Sequence, residues 1–139
     1  MSLVEDKKKQ LVDEYGLFPD SQELFEYLIE KNRQAPHLPA AEKTECNMVK
    51  GCVSSLWLVS SFDGKTCAFE SDADSLITRA VASVVCNLYS GLTPAQVLEI
   101  DPALLAEVNI SNHLSPNRRN GLSQLCKRIR EFAESKIQS

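Results

Sequence analysis

Val53-Ser54-Ser55-Leu56-Trp57-Leu58-Val59-Ser60-Ser61-Phe62-Asp63-Gly64-Lys65-Thr66-Cys67-Ala68-Phe69-Glu70 is the stretch on which the fold turns. Residues 53–62 mix Val, Leu, Trp and Phe with serine, a strand composition with apolar groups on both faces. Asp63-Gly64 is a hairpin signal, since glycine and aspartate accept the backbone angles a tight turn needs. Residues 65–70 then return as the second strand. Upstream, residues 47–50 read as a third short strand, which places Gly51-Cys52 at a turn between strands.

Helices flank this sheet on both sides. After it, Asp74 is positioned to cap a helix in which Leu76, Ile77, Ala80, Val81, Val84, Val85, Leu88 and Tyr89 form a wide apolar stripe, stopped by Gly91. A stripe that wide predicts a central helix covered on most sides. Thr93-Pro94, Asp101-Pro102 and Ser115-Pro116 each open a further helix, with proline in the first turn. In the last, Leu122, Leu125, Cys126, Ile129, Phe132 and Ala133 keep helical spacing. Before the sheet, residues 4–15 suit a charged helix ending near Gly16. Asp20 with Glu23 has capping-box spacing ahead of Leu24, Phe25, Leu28 and Ile29. Pro36 and Pro39 bracket a loop that runs through residues 40–45. Few strands and many helices, in non-alternating order, predict an α+β class with about three antiparallel strands packed by helices. No repeat or low-complexity linker divides the chain, so residues 1–139 read as one domain, with 1–17 as an N-terminal helix or extension.

The 139 residues are 43% hydrophobic and 24% charged, an ordinary globular composition. No apolar run approaches the roughly 20 residues of a bilayer span, and the N-terminal lysines precede no apolar core, so a cytoplasmic protein is expected. A net charge of −4 argues against general nucleic-acid binding, which needs a basic footprint. The Lys7–Lys9 run reads as a solvated helix face.

Five cysteines, at 46, 52, 67, 86 and 126, form no Cys-x-x-Cys pair, and the odd number fits reduced thiols better than a disulfide framework. Cys86 and Cys126 fall on apolar helical stripes and Cys67 in a strand, so all three read as packing. Cys46 is either a bystander or a resolving thiol. Cys52 follows Gly51, which permits close approach of a partner, and Lys50 supplies a positive charge that favours thiolate. By local sequence alone it is either a reactive thiol or a small buried hydrophobe. His113 is either a general base for Cys52 or a histidine bonded where the last helix begins. Asp72 and Asp74 have the spacing of a metal pair, but capping of the central helix is the simpler reading.

The segment Asn47-Met48-Val49-Lys50-Gly51-Cys52-Val53-Ser54-Ser55-Leu56-Trp57 resembles the cysteine signature of the SufE/CsdE sulfur-acceptor family. Three further blocks agree in order and spacing: Ser71-Asp72-Ala73-Asp74, Leu92-Thr93-Pro94, and His113-Leu114-Ser115-Pro116-Asn117-Arg118-Arg119-Asn120-Gly121-Leu122. Together they cover roughly residues 18–135. The resemblance implies an α+β fold like that of IscU scaffold proteins. It implies that Cys52 takes persulfide sulfur from a pyridoxal-phosphate cysteine desulfurase of the SufS or CsdA kind, stimulates that enzyme, and passes sulfur to an iron–sulfur scaffold complex. The coenzyme belongs to the partner, so no cofactor or metal is expected in this chain. Asp74 is expected near the cysteine loop, with His113 and Arg118 on the desulfurase-facing surface. Leu56 stands where a β-branched residue is common, and Cys46 and Cys67 are extra thiols. A stored persulfide needs shelter in an apolar pocket, so the cysteine loop is expected to swing out on docking, with Gly51 as hinge. An IscU-like metal or cluster scaffold using Cys52 with Cys67, Cys126 or His113 is the competing expectation, and a desulfurase-binding module that carries no sulfur is a third. The apolar groups on both sides of the Trp57 strand leave room for a weak homodimer.

Overall fold

The computed structural model describes residues 2–34, 37–49, 55–108, 110 and 114–137. Among these, helices α1 (Leu3–Tyr15) and α2 (Ser21–Asn32) come first. A hairpin of β1 (Leu56–Phe62) and β2 (Cys67–Ala73) follows, and then α3 (Leu76–Tyr89), α4 (Pro94–Glu99), α5 (Leu104–Glu107) and α6 (Pro116–Ile137). The α+β class stands. The strand count does not. Residues 47–50 were expected to add a strand, but Met48 makes an isolated bridge to Trp57. Two backbone bonds hold it, Val49 N–H to Leu56 O at 2.7 Å and Leu58 N–H to Asn47 O at 2.8 Å. The segment is still turning at Thr44 and Glu45, whose carbonyls accept from Asn47 and Met48, so it becomes extended too late for a longer ladder.

The hairpin is antiparallel, with Leu56 opposite Ala73 and Phe62 opposite Cys67. Its loop is longer than the Asp63-Gly64 signal suggested, because the Asp63 carboxylate accepts from the amides of both Lys65 (2.8 Å) and Thr66 (2.7 Å). Gly64 takes φ +97°, a conformation that disfavours side chains. Strand β2 therefore begins at Cys67 and runs on to Ala73, through residues that looked like a helix cap. The cap of α3 is Ser75, whose hydroxyl accepts from Thr78 N–H at 3.4 Å; the reading of Asp74 as cap is corrected. Two other start signals hold, since Asp20 Oδ1 accepts from Glu23 N–H at 2.8 Å and Thr93 with Gln96 forms a reciprocal capping box, but Pro102 falls outside α5, which begins at Leu104 after Ala103 with no side-chain cap.

Alternation along the strands turns Leu56, Leu58, Cys67 and Phe69 into the core. Helix α3 packs on β2 and against α1, α2 and α6, and its buried residues run nearly all round, as the wide stripe required. Helix α6 closes the other side, with Phe132 edge-on to Phe69 at 5.9 Å. The apolar core runs from Val4 in α1 to Ala133 in α6.

Candidate functional site

Lys50, Gly51, Cys52 and His113 lie outside the described residues, so the site is built from what stands beside them. On the N-terminal side is Val49, buried and bonded to β1; on the C-terminal side are Ser55 and Leu56. Asp74 N–H donates to Ser55 O at 3.1 Å, which brings the start of α3 against that edge. Asp74 is thereby tied to Ser55, the first described residue after the segment that carries Cys52. Leu114 is buried next to position 113, and Arg118, exposed overall, stands in the first turn of α6 with its amide on Ser115 Oγ at 3.4 Å.

Leu56, Leu114 and Arg118 meet at one small apolar cavity, whose wall also includes Thr78, Val81 and Leu125. It has room for about 10 Å³, roughly one water. The Thr78 hydroxyl is buried there and hydrogen-bonds nothing among the described residues. Leu56, two residues past the segment 50–54, and Leu114, adjoining 111–113, therefore line a single apolar hollow.

The other thiols separate cleanly. Cys46 is exposed, whereas Cys67, Cys86 and Cys126 are buried. Burial pushes the Cys86 thiol up to about 11 and the Cys126 thiol up to about 12, and it raises Cys67 as well. At neutral pH all three are protonated and sealed in the core, a poor state for binding metal, which takes the thiolate. Among the described residues no cluster of three or more His, Cys, Asp or Glu side chains is arranged to hold a metal ion.

The feature that sequence reasoning missed is Asp72. It is neither a cap nor a metal ligand but a buried carboxylate gripped from several sides. It accepts from His37 Nδ1 at 3.0 Å, Lys43 Nζ at 3.2 Å, Arg79 Nε at 3.1 Å, and the amides of Leu38 (3.1 Å) and Ala73 (2.9 Å). Burial alone would raise its pKa, but the hydrogen bonds from Ala73, His37, Lys43 and Leu38 outweigh it and hold the carboxyl below its ordinary 3.8. Lys43 also sits 5.2 Å from the centroid of the Trp57 ring. The signal in the sequence was faint: an aspartate facing tryptophan across the hairpin, with an arginine seven residues on.

Helices wrapped on one short antiparallel hairpin define a small α+β protein. The same architecture occurs in the solution structure of a hypothetical protein from Thermus thermophilus, with a TM-score of 0.76 at 19% identity over 96% of this chain and 97% of that one. The model of the SufE family, described as an Fe-S metabolism associated domain, matches residues 9–133, and the chain belongs to that family. An uncharacterized SufE-like protein of Rhizobium etli is 32% identical over 130 residues, 90% of this chain and 88% of the relative. Another, from Rhizobium meliloti, is 29% identical over 133 residues, covering 92% and 95%. Among the described residues no helix is long and apolar enough to cross a membrane.

Proposed function

We propose that this protein accepts sulfur as a persulfide on Cys52 from a pyridoxal-phosphate cysteine desulfurase, stimulates that enzyme, and hands the sulfur on to iron–sulfur cluster assembly. Membership of a family tied to iron–sulfur metabolism supplies the setting. The observation that carries the reading is the apolar hollow bounded by Leu56, Leu114 and Arg118, at the edges of the segments bearing Cys52 and His113. A persulfide is best kept in an apolar niche with little water, and a hollow of this lining with room for roughly one water supports the reading.

The chemistry is the sulfur analogue of thiol–disulfide exchange. The Cys52 thiolate attacks the outer sulfur of the donor's persulfide. The sulfur–sulfur bond in the donor breaks as a new one forms on Cys52, and the donor cysteine leaves as thiolate. No net oxidation occurs, and one sulfur atom moves. Lys50 supports the attacking thiolate by charge, while Asp74 and Arg118 frame the surface the donor meets.

Incubation with a cysteine desulfurase and cysteine, followed by peptide mass spectrometry, tests the reading directly. The Cys52 peptide gains the mass of one sulfur atom, and Cys52→Ser abolishes both that gain and the stimulation of the desulfurase while the helical signal stays intact. Full stimulation by Cys52→Ser would remove Cys52 from the mechanism.

A further inference from the structure

Residues 37–49 form a strap that leads directly to the segment carrying Cys52. The strap has little apolar material with which to hold itself down: Leu38 and Val49 are its buried residues, and everything from Pro39 to Cys46 is exposed. Its one regular element is the single turn Ala40–Glu42. Segments with few buried contacts open at low free energy, so the position of this one depends on a handful of polar ties.

Those ties fall at three places, one being the backbone bonds that join Asn47 and Val49 to β1. Near its end, the Arg128 guanidinium donates to the carbonyls of Cys46 (3.0 Å) and Met48 (2.7 Å). Along its first half, Asp72 takes Leu38 N–H, His37 and Lys43. The Lys43 ammonium is thereby held between the buried carboxylate and the face of Trp57, over two residues paired directly across the hairpin. Asp72 also stands two residues before Asp74, whose amide holds Ser55 at the far edge of the same cysteine segment. The carboxylate itself ties the incoming strap, through Lys43, His37 and Leu38, while the outgoing chain at Ser55 is held separately by the Asp74 amide. Arg79, from α3, fixes the carboxylate from behind at 3.1 Å and carries the anchor on to the end of α2 through Asn32 O at 3.2 Å.

We infer that Asp72 is a positioning residue for sulfur acceptance, acting through Lys43 and His37 to seat the strap and so to fix how the Cys52 segment is presented. The significance for sulfur transfer rests on the proposed role of Cys52; the seating itself does not. Lys43 is the arm to remove, because its side chain is 32% exposed and its loss leaves the Arg79–Asp72 pair in place.

The experiment uses the full chain with no desulfurase present. Lys43→Met keeps the aliphatic stem and removes the charge. The rate at which iodoacetamide alkylates Cys52 is read by peptide mass, with the exposed Cys46 in the same digest as reference. Cys52 alkylation is expected to accelerate about fivefold, the effect of one lost charge-assisted hydrogen bond on an opening equilibrium, with helical content unchanged. Emission from Trp57, the chain's one tryptophan, shifts in parallel, and Lys43→Arg returns both readouts to the wild-type values. Should Lys43→Met weaken the fold, His37→Gln, on a side chain 66% exposed, puts the same question. Wild-type alkylation of Cys52 in the folded variants overturns the inference. A wild-type protein that never gains sulfur from the desulfurase overturns the proposed function instead, so the two failures are told apart.

Discussion

Asp72 shows how one side chain makes a local structure conditional on charge. Two cationic side chains, Lys43 from the strap and Arg79 from α3, face its carboxylate together with the His37 imidazole, and two amides complete its bonding. Because the folded-state pKa lies below the unfolded value of about 3.8, the stability it contributes is complete above that pH. It is lost as pH falls through the lower folded-state value. An acid titration followed by circular dichroism therefore finds wild type falling steeply in stability below pH 3.8, and Asp72→Asn falling less over the same window. At neutral pH the same variant is less stable by about 3 kcal/mol, the usual cost of deleting one member of a buried pair. A variant as stable as wild type at pH 7 would show that the hydrogen bonds survive without the charge.

At the scale of elements, the helices were legible because their signals are local. Caps at Asp20 and Thr93, prolines at first turns and the stripe of α3 all lie within a few residues of what they specify. The hairpin was legible from Asp63-Gly64, although the carboxylate's grip on two amides lengthened the loop and moved β2 toward the C-terminus. What could not be read were the strap and its anchor. They depend on single contacts between residues more than 30 positions apart, such as Leu38 with Asp72, which leave no periodicity. Asp72 and Asp74 also fell just where a cap was due, and Ser75, the true cap, was overlooked between stronger candidates. The candidate site was legible as a motif around Cys52, whereas the hollow lined by Leu56, Leu114 and Arg118 requires β1, α3 and α6 to be brought together. One glycine tests the element level. Gly91 follows α3 at φ +84°, its amide bonded to Cys67 O at 2.8 Å, and a Cβ there meets no atom within 4 Å. Gly91→Ala therefore costs about 1 kcal/mol through backbone conformation alone, without loss of packing. Chemical denaturation checks this: a lower midpoint with an unchanged slope is expected.

Across the whole molecule, α3, α4 and α6 share a hydrogen-bond acceptor in addition to their packing. The carbonyl of Ile100, a fully buried residue just past α4, accepts from Tyr89 Oη of α3 at 3.0 Å and from Arg130 Nη1 of α6 at 3.0 Å. Arg130 also reaches Leu98 O at 3.5 Å, so the C-terminal carbonyls of α4 are met by a cation, the favourable sign for that end of a helix. The arrangement ties the α4 turn to both the central helix and the closing one. Two donors on one buried carbonyl have a measurable consequence. Tyr89→Phe removes one hydroxyl but leaves Ile100 O bonded to Arg130, and Arg130→Met leaves it bonded to Tyr89, so each single change costs about 1 kcal/mol. The double variant leaves a buried carbonyl without either donor. The unmet desolvation then adds about 1–2 kcal/mol beyond the sum of the singles. Unfolding free energies of the four proteins in the cycle measure this coupling. Strict additivity would mean that water reaches Ile100 O once the donors are gone, and that the three helices are held by packing alone.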